Sequence, residues 1–292
     1  MSSTTTSANE GEGMLPTSAS QVMTSCQLEL MNYLKSRRFL IMLIIGLLSA
    51  GLMSMAVAFY GVASFGKTAL SFYSSTWGFS ATYIVIFSAF FFGGDAISGE
   101  FQNKTGYFLV TNPVKRSSIY LGKWLAAFMA SALVFVTYSA IDIADTVYHF
   151  GVNSLAPQFG EAMIFSLFYV AAALGFTFFV SSLIKNSSVS VLVSAVLLIF
   201  GFTVIEDFSY AIAHIEPWFL ITYGAEIITN ILSVPYPAHT VSVASTNAIE
   251  KAGGSSYIQY AATVPEGLLI FLVYFAATMI IGLILFNRRE FN

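Results

Sequence analysis

The chain has 292 residues, of which 57% are hydrophobic and 9% charged, and its formal net charge is −3. Soluble domains carry about 25% charged residues, and with a mean hydropathy of +0.76 a water-facing surface could not accommodate so apolar a chain, so a soluble globular fold is excluded. No basic tract interleaved with aromatics is present, which excludes nucleic acid as a partner, and the single cysteine, Cys26, excludes an internal disulfide and a Cys/His zinc pattern.

In chain order, residues 1–20 are rich in Ser, Thr, Gly and Glu and read as a disordered cytoplasmic tail. Residues 21–292 read as one all-α, polytopic membrane domain. Met23, Cys26, Leu30, Tyr33 and Leu34 then recur at helical spacing, with Gln27, Glu29 and Asn32 between them, which predicts an amphipathic helix lying in the cytoplasmic interface. Crossing the hydrocarbon core takes roughly 20 apolar residues, and six stretches qualify: Phe39–Tyr60, Phe79–Ile97, Ile119–Ile141, Glu161–Ile184, Ser188–Ile205 and Glu266–Phe286. They are expected to be helices, because lipid leaves backbone amides no partner outside the segment, and runs such as Val191–Phe202 lack the alternation of barrel strands.

The basic residues set the orientation. With the N-terminus in the cytoplasm, six crossings put Lys35, Arg37, Arg38, Lys104, Lys115, Arg116, Lys123, Lys185, Arg288 and Arg289 inside and only Lys67 and Lys251 outside. Both termini are therefore expected in the cytoplasm. The connection Ser98–Ser118 carries much of the inside charge. Within it Asn112-Pro113 predicts a helix start, Asn as cap and Pro at the first helical position, so that Lys115, Arg116 and Lys123 ride on the first turns of the third span. The long outer segment, about 206–265, contains Pro217, Pro235, Pro237 and several tyrosines, and its apolar stretch Trp218–Tyr223 is too short to cross, reading as a re-entrant or interfacial helix.

The most specific stretch is Gly94-Asp95-Ala96-Ile97-Ser98-Gly99-Glu100-Phe101-Gln102-Asn103-Lys104-Thr105-Gly106-Tyr107-Phe108, continued by Asn112-Pro113-Val114-Lys115-Arg116 and Tyr120-Leu121-Gly122-Lys123. It resembles the cytoplasmic signature of the type-2 ATP-binding-cassette (ABC) permease family. There an acidic, Ile-containing turn with a Glu ends the second span, and a Pro-Val-x-Arg element and a Gly-Lys pair open the third. Family members read Glu-x-x-x-Gly-Thr, whereas here Glu100 is followed by Lys104-Thr105-Gly106, with the pair inverted. The resemblance implies a permease subunit in the plasma membrane, with a short cytoplasmic coupling helix that contacts a separate ATPase. The residues implied in that contact are Asp95, Ile97, Gly99, Glu100, Phe101, Lys104, Thr105, Gly106, Phe108, Pro113, Val114, Arg116 and Lys123. It further implies a second permease copy or paralogue, export as the usual direction, and ATP and Mg in the partner rather than in this chain. From the residues themselves, Ile97, Phe101 and Phe108 are expected to anchor in a partner groove, and Asp95 and Glu100 to pair with Lys104, Lys115 or Arg116.

Asp142, Asp145 and His149 fall at i, i+3 and i+7, on one helical face, where they could ligate a divalent ion, although carboxylates at such a place commonly mark the water boundary. Glu206, Asp207 and Glu226 suggest an acidic outer vestibule or simply an acidic loop, and His214 and His239 stand singly among aromatics and prolines. No Gly-x-x-x-x-Gly-Lys-Ser/Thr phosphate loop, Gly-x-Ser-x-Gly or His-Glu-x-x-His occurs, so the chain is not expected to be an enzyme, and energy must come from a partner. A cation-coupled carrier acting alone would need ionisable groups at mid-bilayer, which the span centres lack. A non-transporting scaffold that relays an ATPase-driven movement to other membrane proteins would use the same loop.

Overall fold

The structure, a computed structural model, describes residues 17–102, 115–244 and 256–288. Helix α1 (Ser18–Lys35) is capped by the Thr17 hydroxyl on the Ser20 amide, and a single residue, Ser36, separates it from α2 (Arg37–Tyr60). Ser36 ends one helix and caps the next, its hydroxyl accepting from Phe39 N at 3.2 Å. The second crossing is built in pieces: α3 (Ala69–Tyr73), a wide turn over Ser74–Gly78, α4 (Phe79–Gly93) and, after a bend, α5 (Ser98–Gln102). Then come α6 (Arg116–Phe150), α7 (Pro157–Leu183) and the fifth crossing, composed of α8 (Ser187–Val196), a wide turn at Leu197–Gly201 and α9 (Phe202–Phe208). Short helices α10 (Ile221–Ala225) and α11 (Ile227–Asn230) follow, then strands β1 (Thr240–Ala244) and β2 (Ser256–Tyr260), and finally α12 (Val264–Arg288).

Among the described residues six helical segments are long and apolar enough to cross a bilayer, at Arg37–Tyr60, Ala69–Gln102, Arg116–Phe150, Pro157–Leu183, Ser187–Phe208 and Val264–Arg288, matching the six stretches read from sequence. The second begins ten residues earlier than expected. A capping box, in which Thr68 and Ser71 exchange side-chain and backbone hydrogen bonds, starts a helix in a stretch whose serines hide it from a hydropathy reading. The third runs on to Phe150, where Gly151 at φ 84° ends it, so Asp142, Asp145 and His149 lie on the helix, as their spacing predicts. At its other end the first helical residue is Arg116, and Lys115 is extended (φ −67°, ψ 131°), so Lys115 precedes the helix instead of riding on it. Asn112-Pro113 lies outside the described residues.

Burial orders the bundle. In the second and fourth crossings 67% and 61% of the apolar window is covered by protein, against 22% in the first and in the fifth. The inner helices close on aromatic rings: Tyr73 stacks on Trp77 with centroids 4.8 Å apart, and Trp77 Nε1 donates to Ser139 Oγ at 2.9 Å. The first and fifth crossings present rows of Leu, Ile, Val and Phe outward, as a bilayer requires.

The outer segment is more ordered than the sequence reading anticipates. The apolar stretch is helical only from Ile221, with Trp218 exposed and Leu220, Ile221 and Tyr223 buried. β1 and β2 form a two-stranded antiparallel ribbon with Thr240 opposite Tyr260. Tyrosines tie the segment down through loop carbonyls: Tyr274 Oη donates to Phe219 O at 2.6 Å, and Tyr210 Oη to Tyr260 O at 3.3 Å.

Candidate functional site

Between α4 and α5 the chain turns at Gly94–Ile97, and each of the other five crossings reaches the elbow formed by this turn and α5, Gly94–Gln102. From the first crossing, Arg38 Nη1 donates to both oxygens of Asp95 at 2.7 and 2.6 Å. From the third, Lys123 Nζ meets Glu100 Oε1 at 2.7 Å. From the fourth, the Ser181 hydroxyl accepts from the amides of Ile97 (3.0 Å) and Ser98 (2.9 Å), so a foreign side chain caps the start of α5. From the fifth, Ser187 Oγ donates to Asp95 Oδ2 at 3.1 Å, Ser190 Oγ donates to the Gly94 carbonyl, and Ser187 N donates to Gln102 Oε1 at 2.7 Å. From the sixth, Phe286 packs edge-on against Phe101 with centroids 6.2 Å apart.

Helix α1 joins the same corner. Its Glu29 holds the other side of the Lys123 ammonium, and Lys123 is only 6% exposed. A buried ammonium needs such company, since an unpaired charge out of water is strongly disfavoured. Tyr33 Oη donates to Phe92 O at 2.9 Å, one residue before α4 ends. The apolar stripe of α1 is shared: Cys26 is buried and Leu30 and Tyr33 pack on the core, whereas Met23 and Leu34 face out.

Several sequence expectations change here. Among the described residues Asp95 pairs with Arg38 and Glu100 with Lys123, where spacing alone had suggested Lys115 or Arg116; the expected pairing with Lys104 falls outside the described residues. Lys115 instead uses its amide on Gln21 Oε1 (3.2 Å) and its ammonium on Ser18 Oγ (3.0 Å), and Arg116 Nη1 donates to Asn287 O at 3.2 Å. Ile97 is fully buried within its own chain, because the turn points it inward, so it is not an anchor for a partner. Phe101 is half-buried against Phe286, while an added Cβ at Gly99 would meet nothing within 4 Å among the described residues. Lys104, Thr105, Gly106, Phe108, Pro113 and Val114 lie outside the described residues. Sequence reading missed Glu29, Arg38, Ser181, Ser187 and Ser190. A serine pair at Ser181-Ser182 near the end of an apolar helix and a glutamate on an interfacial helix were available signals, but Arg38 carried none.

A sequence-family model described as "ABC-2 family transporter protein" matches residues 23–291, from within α1 to beyond α12. The chain belongs to the ABC-2 transporter family. It is thus of the membrane-subunit type, a multi-pass membrane protein distinct from the ATPase. It is also 31% identical over 116 residues to "Uncharacterized membrane protein YdbK" of Bacillus subtilis (strain 168), an alignment covering 38% of this chain. The chain spans about half of that relative, 47% of its length.

Elsewhere in this ABC-2 chain, Asp145 pairs with His149 at 3.5 Å and accepts from Ser54 Oγ at 3.3 Å. Asp142 is buried, and the three residues do not converge as a ligand set. Between the second and fifth crossings and the short helices lies a cavity of about 400 Å³, lined by Thr82, Tyr83, Thr203, Thr222, Glu226 and Thr229 among others. Burial first, and then the neighbouring Glu206 carboxylate, push the Glu226 carboxyl up to about 8. Between an ordinary carboxyl value and about 8 the folded chain holds a proton that the unfolded chain has released. The stability due to that proton is complete at low pH and is lost as pH rises through the folded value. The melting temperature in detergent should therefore fall by several degrees from about pH 6 to about pH 9. Glu226→Gln should flatten that slope, and an unchanged slope in the variant would refute the assignment.

Proposed function

We propose that the chain is the membrane-spanning permease subunit of an ABC exporter, and that a separate ATPase, using ATP and Mg²⁺, docks beneath the elbow Gly94–Gln102 and drives alternating access. The observation that carries this reading is the convergence of all five other crossings on that elbow through charged, hydrogen-bonded and aromatic contacts. A push delivered there acts on every helix at once, as a rigid-body transition requires. The chain works with a second copy or a paralogue, so that two elbows meet two ATPase subunits. α1 lies in the cytoplasmic interface: Met23 and Leu34 enter lipid headgroups while Cys26, Leu30 and Tyr33 hold the bundle. Both termini are cytoplasmic, in the plasma membrane, following the distribution of lysine and arginine.

Gly99 offers a clean test, because a larger side chain there has open space among the described residues. Gly99→Arg should leave membrane insertion and detergent stability intact and weaken co-purification of the ATPase by at least about tenfold. Undiminished association, or an intact chain that transports without any ATPase, would overturn the reading.

A further inference from the structure

Three ligand-bearing side chains from separate parts of the outer segment converge away from the elbow. Glu216 follows the fifth crossing, His239 precedes β1 and Glu266 opens α12, and one ligand atom from each lies within 4.8 Å of the other two. We propose that Glu216, His239 and Glu266 form a binding site for a divalent transition ion of the Zn²⁺ class.

The donor set is one imidazole and two carboxylates, a combination suited to Zn²⁺ with a position left open for water. Each donor is already oriented by a neighbour outside the set. His239 Nδ1 lies 3.1 Å from the Ala261 carbonyl, which can only accept, so the hydrogen sits on Nδ1 and Nε2 is turned toward the two carboxylates. Glu216 Oε1 accepts from the Tyr223 hydroxyl at 2.6 Å, leaving Oε2 for the site. Glu266 Oε2 accepts from the Thr263 amide at 2.9 Å, which fixes that carboxylate at the start of α12. A backbone carbonyl behind the imidazole and hydrogen-bond donors behind the carboxylates are the supports that metal ligands characteristically carry.

The spacing of one pair is close to that of two ligands on a single metal ion. His239 Nε2 and Glu216 Oε2 are 3.7 Å apart, too far for a hydrogen bond. Two atoms each about 2.0–2.2 Å from one tetrahedral zinc stand about 3.3–3.6 Å apart, so a shift of a few tenths of an ångström brings this pair to zinc spacing, and the Glu266 oxygen, within 4.8 Å of both, has to close by up to about 1.5 Å. Among the described residues no lysine or arginine forms an ion pair with Glu216 or Glu266, and the basic neighbour that Glu216 faces is His239. Occupied, the site would fasten the ribbon and the loop after the fifth crossing to the top of the sixth.

The full-length chain, purified in mild detergent and stripped with chelator, should take up one Zn²⁺ per chain in a competition titration against a chromophoric chelator. His239→Ala and Glu216→Gln should each weaken binding by about 100-fold, and Glu216→Gln keeps an acceptor for Tyr223 should the alanine variant perturb the fold. His149→Ala, in the separate Asp145 pair, should bind as the unmodified chain does. Co²⁺ in place of Zn²⁺ should give the visible absorption of a four- or five-coordinate site, absent in His239→Ala. Failure to bind Zn²⁺ at about 100 μM, or uptake that survives both His239→Ala and Glu216→Gln, would overturn the proposal.

Discussion

Lys123→Met will yield a chain that still inserts but is about 3 kcal/mol less stable and no longer couples to an ATPase, and adding Glu29→Gln with Glu100→Gln will restore much of the lost stability. The reason is the position of the ammonium, 6% exposed between a carboxylate of α1 and one of α5. Methionine fills similar space, so the loss is not one of packing. It comes from two carboxylates that lose the ammonium held between them. Breaking a buried pair costs about 3–5 kcal/mol, and the lower end applies because Glu29 and Glu100 keep 23% and 17% side-chain exposure. Neutralising both acids removes the uncompensated charge and leaves hydrogen-bonding amides. Thermal unfolding in detergent reads the stability, and ATPase stimulation in proteoliposomes reads the coupling. A single variant as stable as the unmodified chain, or a triple variant no better than the single, would show that the triad is not the clamp of this corner.

The second large effect is expected at Gly122, where α6 passes against α1. A Cβ there would fall 2.6 Å from Ser25 Cβ and 2.9 Å from the Val22 carbonyl oxygen, and the backbone atom cannot move without moving the helix. Gly122→Val should therefore lift α1 away, at a cost of about 1–3 kcal/mol. The chain carries its own reporter. Cys26, its single cysteine, is 2% exposed, its sulfur lies 3.9 Å from Met129 Sδ on α6, and burial pushes the thiol's pKa up. Both effects slow thiolate chemistry. Maleimide labelling of Cys26 in the unmodified chain should be slow, and Gly122→Val should accelerate it at least about tenfold, following the rise in the open population. Equal rates in the two chains would mean that α1 is not seated by this contact.

The membrane architecture was largely legible in the sequence because it depends on mean apolarity over some twenty residues, a quantity that needs no knowledge of neighbours. Features set by local polar bonds were harder to see. The start of the second crossing hides in the Thr68–Ser71 capping box, and the ribbon strands are five-residue runs in a proline-containing segment, where a period-two pattern has few positions to declare itself. In the elbow, chemistry was legible and pairing was not. Asp95, Glu100 and Lys123 stood out as charges at a membrane boundary, but Arg38 is 57 positions from its partner Asp95 and Ser181 is 84 from the Ile97 amide it receives. Such distances are set by which helices pack together. Hydropathy finds the helices and leaves their neighbours open.

Ser181 has a consequence for how this protein can vary. The shape of the bend at Ile97 and Ser98 is imprinted by a hydroxyl on a different helix, through main-chain amides that every residue except proline possesses. Exchanging a side chain of the bend therefore does not in itself remove these two bonds, so long as position 181 retains an acceptor and the newcomer is not proline.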